Sequence, residues 1–139
     1  MKLSIIIPIY NEVESLDSLF EELSNLFADE SATEIIFIND GSTDKTLSIL
    51  EEKIKNYSRW KVINLYRNYG KSVALQAGFY TAKGEIIATM DADLQDNPKE
   101  IYRLIDELNK GYDVVSGWKK SRKDPFEKKN SINNLQFFC

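Results

Sequence analysis

Short apolar runs alternate with longer stretches in which apolar residues recur every three or four positions. Residues 3–7 are mostly β-branched and nearly continuous, which suits a strand buried on both faces. Residues 12–27 then set Leu16, Leu19, Phe20, Leu23 and Phe27 at helical spacing. The same alternation predicts strands at 34–38, 61–65, 85–90 and 112–116. It predicts further helices at about 42–56, 71–82 and 98–110, with Ser42 or Thr43 capping the first and Gly111 closing the last. Five strands interleaved with four helices imply βαβ units, hence an α/β fold on a mostly parallel sheet. In such sheets ligands bind beyond the carboxyl ends of the strands. The informative residues are therefore 8–12, 39–42, 67–71, 91–96 and 116–119.

The composition changes this picture by exclusion. The 139-residue chain suits one domain and contains no histidine. Serine–histidine and cysteine–histidine hydrolysis are excluded, as is a conventional zinc site. Any metal must sit on oxygen ligands, which favours Mg²⁺ or Mn²⁺. Cys139 is the only cysteine, so no internal disulfide is expected. Charge is uneven: residues 1–118 carry a net −8, whereas 119–139 carry +4 through Lys119, Lys120, Arg122, Lys123, Lys128 and Lys129. Such a run is ordinarily a solvated face or tail. No signal peptide is expected, and no apolar run approaches the roughly 18 residues needed to span a bilayer. The pattern decays after residue 118 and ends in Leu135-Gln136-Phe137-Phe138-Cys139, as if cut short.

Asp91-Ala92-Asp93 follows the fourth apolar run. In an extended segment Asp91 and Asp93 face one side, and Gln95 continues the parity. Two close carboxylates repel, and a divalent cation bridging to a diphosphate relieves the repulsion. The same pair could instead cap a turn. Asp40, after the second run, can accept a base N–H or simply cap a helix. Tyr10 can stack on a base or ribose and Glu12 can reach a hydroxyl, although Asn11 there could be no more than a helix cap. Lys71, at a helix start after Gly70, suits an anionic ligand. Lys119, after the fifth run, could neutralise a leaving diphosphate.

Together, Ile7-Pro8-Ile9-Tyr10-Asn11-Glu12, Asn39-Asp40-Gly41-Ser42-Thr43-Asp44, Arg67-Asn68-Tyr69-Gly70-Lys71 and Met90-Asp91-Ala92-Asp93-Leu94-Gln95 resemble family 2 glycosyltransferases in order and spacing. Asp96-Asn97-Pro98 and residues 114–119 resemble the polyprenyl-phosphate branch. The resemblance covers about residues 2–125. It implies a GT-A fold, a Rossmann-like three-layer α/β fold with a mostly parallel sheet, truncated at its C-terminal side, with a donor domain over 1–125 and an acceptor or membrane-proximal tail from 126 to 139. It implies inverting transfer of a hexose from a UDP- or GDP-sugar, most simply to a polyprenyl phosphate, with a saccharide acceptor or a binding-only fragment as alternatives. Pro8, Tyr10, Glu12, Asp40, Lys71 and Ala92 would contact the nucleotide. Asp91, Asp93 and Gln95 would hold Mg²⁺ or Mn²⁺, and Lys119 would stand where many relatives carry arginine.

A phosphate acceptor is already anionic near neutral pH, its second pKa being about 6, so no general base is required. The resemblance places the full-length protein in the cytoplasm, at the cytoplasmic face of the membrane, with segment 119–129 near anionic lipid. There each lysine contributes about 1 kcal/mol. It leaves room for an oligomer and gives no reason to expect nucleic acid. Two other classes fit poorly. Haloacid-dehalogenase-type phosphatases carry Asp-x-Asp on the first strand, and a Rossmann oxidoreductase needs a glycine-rich turn where residues 8–12 contain no glycine.

Overall fold

The computed structural model describes residues 2–117 and 136–138. Strands β1 (Leu3–Ile9), β2 (Thr33–Asn39), β3 (Trp60–Asn64), β4 (Ile86–Thr89) and β5 (Val114–Ser116) alternate with helices α1 (Val13–Phe27), α2 (Thr46–Lys53), α3 (Lys71–Thr81) and α4 (Glu100–Leu108). A 3₁₀ turn, Ile54–Asn56, extends α2. A further strand, β6 (Gln136–Phe138), lies in the stretch expected to be a tail. Its backbone pairs antiparallel with both β4 and β5. The sheet order is β3-β2-β1-β4-β6-β5, with β1, β2, β3 and β4 parallel.

The strand periodicity divides the core in two. Ile5, Ile7 and Ile9 of β1 pack with Ile35 and Phe37 of β2 against Leu16, Leu19 and Leu23 of α1, Leu50 of α2 and Ile101 of α4. The alternate residues Ile6, Ile36 and Ile38 face Ala74 of α3. The three-layer α/β/α architecture follows from strands apolar on both faces, as the sequence predicts. All five apolar residues of α1 at helical spacing are buried. α3 lies close to the sheet because Gly78 has no side chain: a Cβ there would meet Ile6 Cγ2 at 2.4 Å.

At the amino-terminal edge of the sheet, Glu34 ties four elements together. It accepts hydrogen bonds from Ser4 Oγ (2.6 Å) and the Lys83 backbone N–H (2.6 Å), and it pairs with Lys61 Nζ at 2.8 Å. Burial pushes its carboxyl upward, but the bonds from Lys61, Ser4 and Lys83 outweigh burial and hold it below the usual carboxylate range. The opposite edge is where the chain reverses strand order: β1 leads outward to β2 and β3, while β4 joins on its other side. A crevice opens at such a switch point.

Candidate functional site

Three loops at that switch point are bonded into one body. Asn11 takes a left-handed conformation (φ 52°), and its Oδ1 accepts the Thr43 N–H at 2.8 Å. Its own N–H donates to Ser42 Oγ at 2.9 Å, and the Glu12 N–H donates to Thr46 Oγ1 at 3.0 Å. The expected helix caps are thus spent on binding the loop after β1 to the loop after β2. Neither α1 nor α2 has a side-chain hydrogen bond from its N-cap residue, and α2 begins only at Thr46, whose N–H Asp44 accepts at 2.9 Å.

Asp40 joins the third loop. Its carboxylate is buried, and it accepts the Tyr69 N–H on one oxygen (2.8 Å) and the Gly70 N–H on the other (2.9 Å). Gly41 (φ 65°) lies flat on that loop, and a Cβ there would sit 2.2 Å from the Arg67 carbonyl carbon. The clamped loop launches α3, whose first residue, Lys71, places Nζ 2.5 Å from Asp91 Oδ1. Asp91 is fixed from behind, its N–H donating to Oδ2 of buried Asp96 at 3.0 Å.

Pro8, Tyr10, Glu12, Asp40, Lys71, Asp91, Ala92 and Asp93 line a single cavity of about 310 Å³, joined by Ile9, Asn68 and Gly70. Tyr10 is 45% exposed and lines this opening. Gln95 does not join them. β4 ends at Thr89, Leu94 turns left-handed (φ 61°), and the Gln95 N–H closes a turn on Asp93 Oδ1 at 3.1 Å. The extended alternation is lost, and Gln95 lines a separate cavity of about 480 Å³ between α1 and residues 94–99. Lys119 and segment 119–129 lie outside the described residues.

Among the described residues no three His, Cys, Asp or Glu side chains gather as a metal cage. Of the four acidic residues that line the cavity, Asp91 and Asp93 stand two positions apart in one segment and offer a pair of carboxylates. Such a donor set fits a hard cation that takes its remaining ligands from water and phosphate oxygens. Sequence patterning places Asn11, Gly41 and Asp96 in the post-strand segments but does not find their supporting contacts: Asn11 reads as a helix cap, and nothing in the Asp96-Asn97-Pro98 motif announces a bond back to Asp91.

The sequence profile described as Glycosyl transferase family 2 matches residues 4–137. An undecaprenyl-phosphate 4-deoxy-4-formamido-L-arabinose transferase of Proteus mirabilis is 40% identical over 132 residues, covering 94% of this chain and 40% of that protein. The mannosyltransferase PcManGT of Pyrobaculum calidifontis, solved with GDP-Man and Mn²⁺, matches with a TM-score of 0.76 at 22% identity, over 86% of this chain and 36% of that one. Staphylococcus aureus TarS 1–349 in complex with UDP-GlcNAc matches with a TM-score of 0.68 at 27% identity, over 90% and 37%. The shared architecture is that of GT-A glycosyltransferases. The chain spans about two fifths of the length of the curated relatives it matches. Among its described residues no helix is long and apolar enough to cross a membrane.

Proposed function

Because this chain belongs to glycosyl transferase family 2, we propose that it is the donor-binding half of an inverting glycosyltransferase that moves a hexose from a UDP- or GDP-sugar to a polyprenyl phosphate. One observation carries this: residues from four separate post-strand segments, each singled out for a nucleotide–diphosphate ligand, line one cavity at the switch point. The acceptor class is supported by the undecaprenyl-phosphate transferase, 40% identical to this chain. A UDP-sugar is supported by the TarS complex with UDP-GlcNAc.

Tyr10 supplies a stacking face for the nucleoside, beside the small apolar surfaces of Pro8 and Ala92. Glu12 takes a ribose hydroxyl. Asp40 spends one lone pair of each oxygen on the loop amides and keeps the others for a base N–H. Mg²⁺ or Mn²⁺, held by Asp91 and Asp93, would neutralise the charge that develops on the departing nucleoside diphosphate. Lys119, outside the described residues, would help neutralise the leaving diphosphate. The acceptor's anionic phosphate oxygen attacks the anomeric carbon while the bond from that carbon to the diphosphate breaks, so configuration inverts and no proton has to be removed. Segment 119–129 would face anionic lipid at the cytoplasmic side of the membrane.

Calorimetric titration of UDP, GDP and their sugars, with and without Mn²⁺, tests this. Mn²⁺ should strengthen nucleotide binding, and Asp93→Ala should abolish that gain. Equal, metal-dependent binding in Asp93→Ala would sink the assignment. A second reading follows from the chain spanning about two fifths of its relatives' length. On that reading the chain binds donor without turning it over, and metal-dependent binding with no sugar release to any acceptor would select it.

A further inference from the structure

Resting on the donor-site reading above, we propose that Lys71 is an exchangeable counter-ion for Asp91: its ammonium occupies the metal's place in the free protein and passes to the diphosphate when metal and nucleotide enter. Lys71 Nζ sits 2.5 Å from Asp91 Oδ1, with 43% and 17% of the two side chains exposed. Both ends of this pair are set in advance. Lys71 follows Gly70, whose N–H is held by Asp40, and Asp91 is held through its own N–H by Asp96. The pair is therefore built by the fold rather than found by two wandering surface chains. Asp93, by contrast, makes no ion pair among the described residues, and only the Gln95 N–H bonds its carboxylate.

The conflict is electrostatic. One carboxylate oxygen cannot accept an ammonium at this distance and also coordinate a divalent cation without pressing two positive centres together. Metal bound at that oxygen displaces Lys71. Released on the wall of the same cavity, the ammonium stands where the diphosphate charge arrives. Metal alone therefore competes with Lys71, whereas metal with nucleotide gives the ammonium a new anion. The two ligands bind with positive coupling, and Lys71 is the group that carries it.

The test is Mn²⁺ titration of the whole chain, first without nucleotide and then with UDP or GDP, in wild type, Lys71→Met, Lys71→Arg and Lys71→Met/Asp91→Asn. Lys71→Met keeps the stem and removes the charge. It should bind Mn²⁺ alone about three- to fivefold more tightly, the range an ion pair of this exposure supports. Its Mn²⁺–nucleotide coupling should shrink, and Lys71→Arg should behave as wild type. In the Asp91→Asn background the gain should vanish. Mn²⁺ affinity that is equal or weaker in Lys71→Met, or undetectable in both proteins, overturns the exchange. Should no nucleotide bind wild type, the donor-site reading fails instead, while the Mn²⁺ arm still decides the Lys71–Asp91 competition. Thermal melting confirms that each variant is folded.

Discussion

Asp40 and Asp96 show how a carboxylate can shape a site by holding backbone. Each accepts a backbone N–H from a cavity-lining loop, Asp40 from Tyr69 and Gly70 and Asp96 from Asp91. Asp40→Ala leaves two amides without their buried acceptor and should cost about 1–3 kcal/mol of stability as well as nucleotide affinity, measured by denaturant unfolding and calorimetry. Asp96 does not line the donor cavity. Asp96→Ala should still weaken Mn²⁺–nucleotide binding about tenfold, as loss of a ligand-orienting group does, and Asp96→Asn should recover much of it. Unchanged metal dependence in Asp96→Ala would show that Asp91 is positioned by something else. Legibility at this scale divides along a physical line. Side chains that line the cavity, such as Tyr10 and Asp91, are recognisable from type and position after a strand. Side chains that bond across loops are not, because Asn11 and Thr43 lie 32 positions apart and either could have been a helix cap. Gln95 does not line the cavity of Asp91 and Asp93, because period-two alternation holds only while backbone is extended, and Leu94 ends that extension.

At the scale of elements, glycine decides how closely pieces meet. Gly41 and Gly70 both have positive φ, at 65° and 93°, but only Gly41 is pressed against backbone. Gly70, at φ 93° and ψ 160°, lies in a region essentially reserved for glycine, so Gly70→Ala should cost about 1–3 kcal/mol in backbone strain alone. Gly41→Ala instead meets the backbone of Arg67 and Asn68, so beyond its own strain it should displace the loop that leads into Lys71. Comparing nucleotide affinity of the two variants with their melting temperatures separates strain from displacement. Helices and parallel strands were legible wherever periodicity was strong, as in α1, whose five spaced apolar residues are all buried. β6 was not, because three residues give too short a pattern, and its identity as a strand comes from pairing with β4 and β5.

Across the whole molecule, the sheet has one edge that carries the cavity and one that ties. At the tying edge Glu34 connects β1, β2, β3 and the turn after α3. Its folded carboxyl lies below the ordinary value of about 4.3, so its contribution is complete above that pH and is lost as pH falls through the depressed value. Melting temperatures of wild type should therefore fall on acidification below about pH 4. Glu34→Gln should melt lower at pH 7 and show a shallower acid limb. Parallel acid limbs would mean that other carboxylates govern the transition.

The bonding of three loops at the opposite edge also sets the timescale on which the cavity can open. Loop amides normally exchange with solvent through cheap local fluctuations. Here the Thr43, Tyr69 and Gly70 N–H groups are donated to side chains of other loops, two of them to a buried carboxylate. Freeing any one requires the loops to part together. In hydrogen–deuterium exchange these amides should behave like strand amides and share one protection factor. Asp40→Asn should lower all three at once while leaving β2 protected.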